Sequence, residues 1–274
     1  MMNLILVKRF FPVLLFFLIP TLLSGETFSL ELDVEYGFSS ILSHEIQSGT
    51  DDDKGDVFDY LSSGNQDKLF PFARYQIDVE VLDTHHIVFL YQPLLLETEA
   101  LIEEDFRYDE VDFTTADGTV ELIYSFDFWR FSYLYDLIEG PGFFLSPGVS
   151  LQIRNVSISF ISTDGSKSSL SNGVGPVPVL KLRTGYEWEE GFFLLFDGDA
   201  FYASNKFING AGYSFTGYIY DLAFKAGYEA RGDFSPHVGV RFLGGGADGT
   251  TDEGEYTYND LHTFSVTVGM TWRI

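Results

Sequence analysis

Hydrophobic positions in this chain recur every second residue over long stretches and almost never at a helical spacing. Over residues 28–38, Phe28, Leu30, Leu32, Val34, Tyr36 and Phe38 alternate with Ser29, Glu31, Asp33, Glu35 and Gly37. Near the end of the chain, Phe264, Val266, Val268, Met270 and Trp272 alternate with Thr263, Ser265, Thr267, Gly269, Thr271 and Arg273. Successive side chains of a strand point to opposite faces, so each segment is a strand with one apolar and one polar face. The same reading predicts ten strands, over residues 28–40, 69–82, 86–98, 119–136, 144–162, 177–188, 192–203, 213–228, 237–243 and 261–272. Two segments change phase, near Phe128 and Trp129 and near Arg154 and Asn155, and a β-bulge at each point would restore the alternation.

The connections sort by length. Residues 83–85, 137–143, 189–191 and 229–236 are short and carry turn chemistry such as Glu-Gly-Pro-Gly, whereas 41–68, 99–118, 163–176, 204–212 and 244–260 are longer and polar. Alternating short and long connections, with an apolar outward face, fit an antiparallel transmembrane β-barrel, the closed form in which strands satisfy every backbone group in lipid. The expected fold class is therefore all-β, a barrel of about ten strands with eight or twelve as alternatives, short periplasmic turns and long extracellular loops. Twelve would follow if the segment 106–113 paired into the wall. Aromatic residues mark the short-turn ends (Tyr133, Tyr135, Phe143, Phe144, Tyr186, Trp188, Phe192, Tyr228, Phe234, Trp272). A second, outer girdle is expected from Phe38, Phe72, Phe160, Tyr202, Tyr213 and Phe242.

Composition places this unit in a compartment. Lys8 and Arg9 precede an apolar run with Pro12 and Pro20, followed by Ser24 and Gly25. This reads as a signal peptide over residues 1–25, with the barrel over 26–274, and localisation to the outer membrane. Aromatics make up 17% of the chain, a bias that suits lipid-facing belts. The absence of cysteine removes disulfides, thiolate metal sites and cysteine nucleophiles. A net charge of -25 excludes nucleic acid as a partner and makes divalent cations the more natural one. No cofactor is implied.

Alternation also predicts what faces the interior. The acidic candidates are Glu31, Asp33, Glu35, Asp78, Glu80, Glu121, Asp127, Glu187, Asp197, Asp199 and Asp221; the basic ones are Arg130, Arg154, Lys181, Arg183, Lys225 and Arg241. A barrel of this size is narrow, so opposed charges should pair and fill it. Five carboxylates on two adjacent strands, Glu31, Asp33, Glu35, Asp78 and Glu80, need cations, basic partners or water to stay ionised. The expected function is thus a non-enzymatic barrel of the cell envelope with a charged, largely filled lumen and acidic loops. The alternative is a narrow, cation-preferring channel, because acids outnumber bases on the inward set.

The chain resembles small bacterial outer-membrane β-barrel proteins over all of its mature length, on the strength of the signal peptide, the alternating segments and the last strand. Residues 262–272 are similar to the assembly signal such proteins show to the barrel assembly machinery, with Ile274 where an aromatic is usual. The resemblance implies outer-membrane lipid and lipopolysaccharide as surroundings and leaves activity open. Asp260 with His262, and Asp197 with Asp199, loosely resemble the acid and histidine couples of ten-stranded omptin-type proteases, and they are the rim candidates for a hydrolase. A lipid A acyl enzyme would need His262 beside Ser265, but residues three apart on a strand face opposite ways. Asp51, Asp53, Asp56 and Asp59 form an acidic first loop without the ordered spacing of a calcium loop, a weak candidate for divalent cations.

Overall fold

The computed structural model describes residues 28–109, 111–204, 214–230, 233–251 and 253–274, so residues 1–25, expected to be a signal peptide, and Tyr213 lie outside the described residues. Ten strands form the wall: β1 Phe28–Thr50, β2 Leu69–Val81, β3 in two pieces (His85–Gln92 and Leu95–Leu101), β4 Thr119–Tyr135 and β5 Phe143–Ser162. They continue as β6 Ser168–Glu187, β7 Phe192–Ser204, β8 Ser214–Tyr228, β9 Phe234–Thr250 and β10 Glu255–Arg273. Each is antiparallel to its sequence neighbours, and β10 returns to β1 from Glu31↔Arg273 to Thr50↔Glu255, which closes the barrel. Closure leaves no sheet edge around most of the circumference and pairs the backbone in the only way that strands can in lipid.

Several strands are far longer than a bilayer requires. β1 has 23 residues, β5 and β6 have 20 each and β10 has 19, against roughly 9 to 11 to span the hydrocarbon. The surplus lies on one side. The outward face of β10 is apolar from Trp272 to Phe264 and polar above it, at His262 and Asp260. The barrel therefore spans the membrane with its lower part and stands out of it as a turret. Most of residues 163–176 and 244–260, read from sequence as loops, are strand in the turret wall; the connections left are 163–167 and 251–254.

The two predicted bulges are absent. Pairing of β4 with β5 runs without a shift through Asn155↔Asp127, Arg154↔Phe128 and Ile153↔Trp129. The hydrophobic phase changes there because the surroundings change. Below this level the outside of β4 faces lipid through Trp129, Phe131, Tyr133 and Tyr135, while Arg130 and Ser132 face in. Above it the outside faces water, and Val120, Leu122, Tyr124 and Phe128 are buried in the interior. Among the described residues one register shift is present in the wall, between Ile41 and Ser43 of β1; it turns Leu42 outward and points His44 and Ile46 inward.

The turret has a true hydrophobic core. Ile41, Ile46, Leu96, Leu122, Ile158 and Phe160 contribute from the wall, and two connections fold into the mouth to meet them. Residues 51–68 bring in Phe58 and Tyr60, held by pairing of Phe58–Asp59 with Ile46 and Glu45. Phe106–Tyr108 and Val111–Phe113 pair with each other as a separate hairpin, which removes the twelve-stranded alternative. Tyr60 stacks on His44 at 3.8 Å between ring centres, and Tyr108 and Phe113 lie against Phe160 at 4.8 and 5.8 Å. Phe72 and Phe160, expected in the outer girdle, are instead buried inside, and Phe144 also lies on the inward phase of its strand. The outer belt is built from Tyr36, Phe38, Tyr75, Tyr91 and Trp129, with Tyr202 and Phe242; Tyr91 stacks on Trp129 at 4.1 Å.

Candidate functional site

Below the apolar plug, the inward residues of the membrane-spanning part form one network. Arg130 of β4 donates from Nη1 to Asp199 Oδ2 at 2.7 Å and to Asp221 Oδ2 at 2.9 Å, and from Nη2 to Gln152 Oε1 at 2.6 Å. Asp199 also accepts from Lys181 Nζ at 2.9 Å and from Ser150 Oγ at 3.0 Å. Asp221 accepts from Arg241 Nη1 at 2.6 Å. Lys181 and Arg183 share Asp197, and Arg183 reaches across the lumen to Asp78. Asp78 accepts from His86, whose other ring nitrogen lies 3.1 Å from Asp136.

Glu35 and Asp33 complete the network. Glu35 pairs with Arg74 at 3.1 Å, Lys225 at 2.8 Å and Arg241 at 3.5 Å, and accepts from Thr267 Oγ1. Asp33 accepts from Lys225 at 3.1 Å and from Thr271 at 2.9 Å. Basic partners thus answer the question posed by the crowded carboxylates of β1 and β2. At the periplasmic rim, Glu31 takes Arg273 at 2.7 Å and Glu80 takes the Ser29 hydroxyl at 2.6 Å. A vestibule of about 390 Å³ opens there between Glu31, Glu187, Glu229 and Arg273.

Charge in the buried network balances. Among the described residues, Asp33, Glu35, Asp78, Asp197, Asp199 and Asp221 face Arg74, Arg130, Lys181, Arg183, Lys225 and Arg241, all buried. The acidic excess of the inward set shrinks for two reasons, and what is left of it, Glu31, Glu80 and Glu187, lies at the periplasmic rim outside the buried network. Glu121 and Asp127 lie on the outward phase of β4, and Asp127 accepts the Leu94 N–H at 3.3 Å where β3 is interrupted. Arg74, overlooked in the sequence, is 2% exposed and shares the inward phase of Asp78 and Glu80 on β2, a signal that was available. The side chain of Arg154 lies outside the described residues. The charges matched are those of the buried layer, between the rim and the apolar plug.

The rim candidates assemble only in pairs, on opposite sides of the wall. Asp197 and Asp199 are inside the barrel, bound to Lys181 and Arg130, whereas Asp260 and His262 are on the outside of β10. There His262 Nε2 lies 3.0 Å from Asp260 and its Nδ1 2.6 Å from the Tyr220 hydroxyl, with Tyr218 bridging to both residues. Gly244 lies between these strands, and its missing side chain lets Tyr220 and His262 meet over it. The wall separates this pair from the two lumen carboxylates, so a four-residue acid–histidine site is excluded by geometry. Ser265 is inside and His262 outside, as alternation requires.

The carboxylates of the acidic first loop are taken up by partners within the protein. Asp53 pairs with Arg107 at 3.2 Å, Asp56 accepts the Arg107 N–H at 3.1 Å, Asp59 caps Leu61 and Ser62, and Asp51 accepts from Thr250. Each carboxylate serves to hold loops together. Among the described residues, Asp33, Glu35 and His237 bring ligand atoms within 4.8 Å of one another. Lys225 already supplies the positive charge to both of those acids.

No family model matches the chain, and no curated protein matches it in sequence. Among solved structures it is similar to the transport unit of the autotransporter AIDA-I from Escherichia coli, at 8% identity and a TM-score of 0.41, over 94% of this chain and 93% of that one. A Pseudomonas aeruginosa FadL homologue follows at 8% identity and a TM-score of 0.36, over 90% of each chain. The β domain of the Bordetella autotransporter Brka matches at 11% identity and a TM-score of 0.32, over 91% of this chain and all of that one. At these values the likeness carries no argument about this chain. The closed wall, the lipid-facing belt and the aromatic rings themselves make this chain a transmembrane β-barrel of the bacterial outer-membrane kind.

Proposed function

We propose that the protein is a non-enzymatic, non-conducting barrel of the cell envelope, an anchor that holds a rigid acidic turret outside the membrane. The observation that carries this reading is the double closure of the lumen, by paired charges at membrane level and by Phe58, Tyr60, Tyr108 and Phe113 in the mouth. A small solute would have to break buried ion pairs and then cross an apolar core, and neither step is compensated. On this reading β10 is what the assembly machinery engages, and lipopolysaccharide surrounds the belt. Divalent cations would bridge surface carboxylates of the turret to its phosphates. The test is current through planar bilayers containing the refolded protein at low salt. The expected result is no steady conductance, both for the native chain and for Phe58→Ala with Tyr60→Ala, because the charged layer below remains. Stable cation-selective steps from the native chain would replace this reading with the channel one.

A further inference from the structure

The wall has a seam. Pairing of β6 with β7 runs from Glu187↔Phe193 only as far as Leu180↔Ala200, although both strands continue. Above that point, among the described residues, β6 stays paired to β5 alone, through Ile161↔Ser168, and β7 to β8 alone, through Ser204↔Thr216. Pro176 and Pro178 lie on β6 where the pairing with β7 is missing. They are two residues apart, so their missing N–H groups fall on one edge of the strand. The ladder to β5 continues past both, so that edge is the one toward β7. An unpaired edge is expensive beside lipid, and two prolines remove the donors that would make it so.

Behind the seam lies an apolar cavity of about 170 Å³, lined by Val177, Pro178, Phe201, Ala203, Phe215 and Ile219 among others. A Cβ placed on Gly175 at its edge would meet nothing within 4 Å. The cavity shares Tyr218, Ile219 and Gly246 with a smaller one of about 40 Å³ that reaches Leu94, Phe126 and Leu243 under the plug. What borders the seam on the outside is set by the side chains that flank it. Leu180 is 64% exposed and Tyr202 57% exposed, at the upper edge of the lipid-facing belt, so the lower end of the opening meets the bilayer. Apolar cavities of roughly 150 Å³ stay dry and accept a molecule the size of benzene.

We propose that the barrel takes up an acyl chain of a membrane lipid sideways, through the seam between β6 and β7, into this cavity. The uptake is lateral, so it does not depend on whether the lumen conducts.

The native tryptophans, Trp129, Trp188 and Trp272, are all on the lipid face and can be replaced by Phe to leave a silent background. A single reporter, Phe201→Trp, is then reconstituted into phospholipid with brominated acyl chains, alongside Leu134→Trp as an inward control behind a wall paired on both sides. The expected result is quenching of the Phe201→Trp reporter about as strong as that of Trp188 left alone, with the control unquenched. Adding Pro176→Thr and Pro178→Thr, which restores both donors, should suppress quenching of the reporter. Circular dichroism and resistance to unfolding in detergent establish that each variant is folded, and Phe215→Trp serves as reporter if Phe201→Trp is not. A folded reporter that brominated lipid leaves unquenched would overturn the proposal. So would quenching that persists unchanged once the prolines are replaced.

Discussion

Arg130 shows at the scale of one residue how this interior is held. Its guanidinium serves Asp199, Asp221 and Gln152 together, and all four side chains are fully or nearly fully buried. Such a pair adds little over an apolar core, but removing one partner leaves the other charge stranded in a dry site. Arg130→Met should therefore cost about 3–5 kcal/mol. Arg130→Lys should cost less but not nothing, since an ammonium cannot reproduce the planar fork. Urea unfolding of the refolded barrel in lipid checks this, and an unchanged midpoint for Arg130→Met would show the network to be slack. Outside the membrane, Asp117 is a second case. The hydrogen bond from Lys167 Nζ, followed by the backbone bond from Thr114, holds its carboxyl below the usual carboxylate range. A depressed carboxylate contributes stability that is complete above its unfolded value and is lost as pH falls through the folded one. The connection 102–118 should therefore loosen on acidification below the ordinary aspartate value of about 3.9. Hydrogen exchange of that segment across the acid range measures it, and Asp117→Asn should remove the pH dependence.

At the scale of the strand, β4 carries the most instructive pattern. Its geometry is uniform from Thr119 to Tyr135, yet its apolar face switches sides partway along. The physical reason is that hydrophobic periodicity records which face avoids water, and here that face is the outside in lipid and the inside in the turret. Read as geometry, the switch demands a bulge; read as environment, it marks the membrane surface. Cysteine scanning tests this directly, because the native chain has no cysteine. Glu121→Cys and Ser125→Cys should react with a maleimide too polar to cross the membrane, while Phe131→Cys and Tyr133→Cys should not. Equal labelling of all four would deny that the surface lies between Ser125 and Phe131. The same switch hid the length of β1, β6 and β9, whose upper halves lose the apolar-out pattern and read as polar loops.

At the scale of the whole molecule, charge is divided by location. The buried network takes six residues of each sign among the described residues, so the imbalance of 41 acids against 16 bases falls on the rest of the chain. A neutral buried layer under an acidic exterior is what the proposed anchor would need, and the conductance measurement tests it.

The sequence by itself determined that the chain crosses a membrane as a barrel of about ten strands, and most of the residues of the lower strands that face lipid. A period of two with an apolar outward face is a local property, written residue by residue, and lipid leaves strands only one closed solution. It also put Asp33, Glu35, Asp78, Arg130 and Lys225 on the inward phase. Only the tertiary structure decided what those residues meet, because Arg183 reaches Asp78 and Arg130 reaches Asp221 across the lumen, far apart in sequence. The plug, the balance supplied by Arg74 and the separation of Asp260 and His262 from Asp197 and Asp199 were decided in the same way. Each depends on how strands distant in the chain come round to face one another, and the period of a single strand holds no information about that.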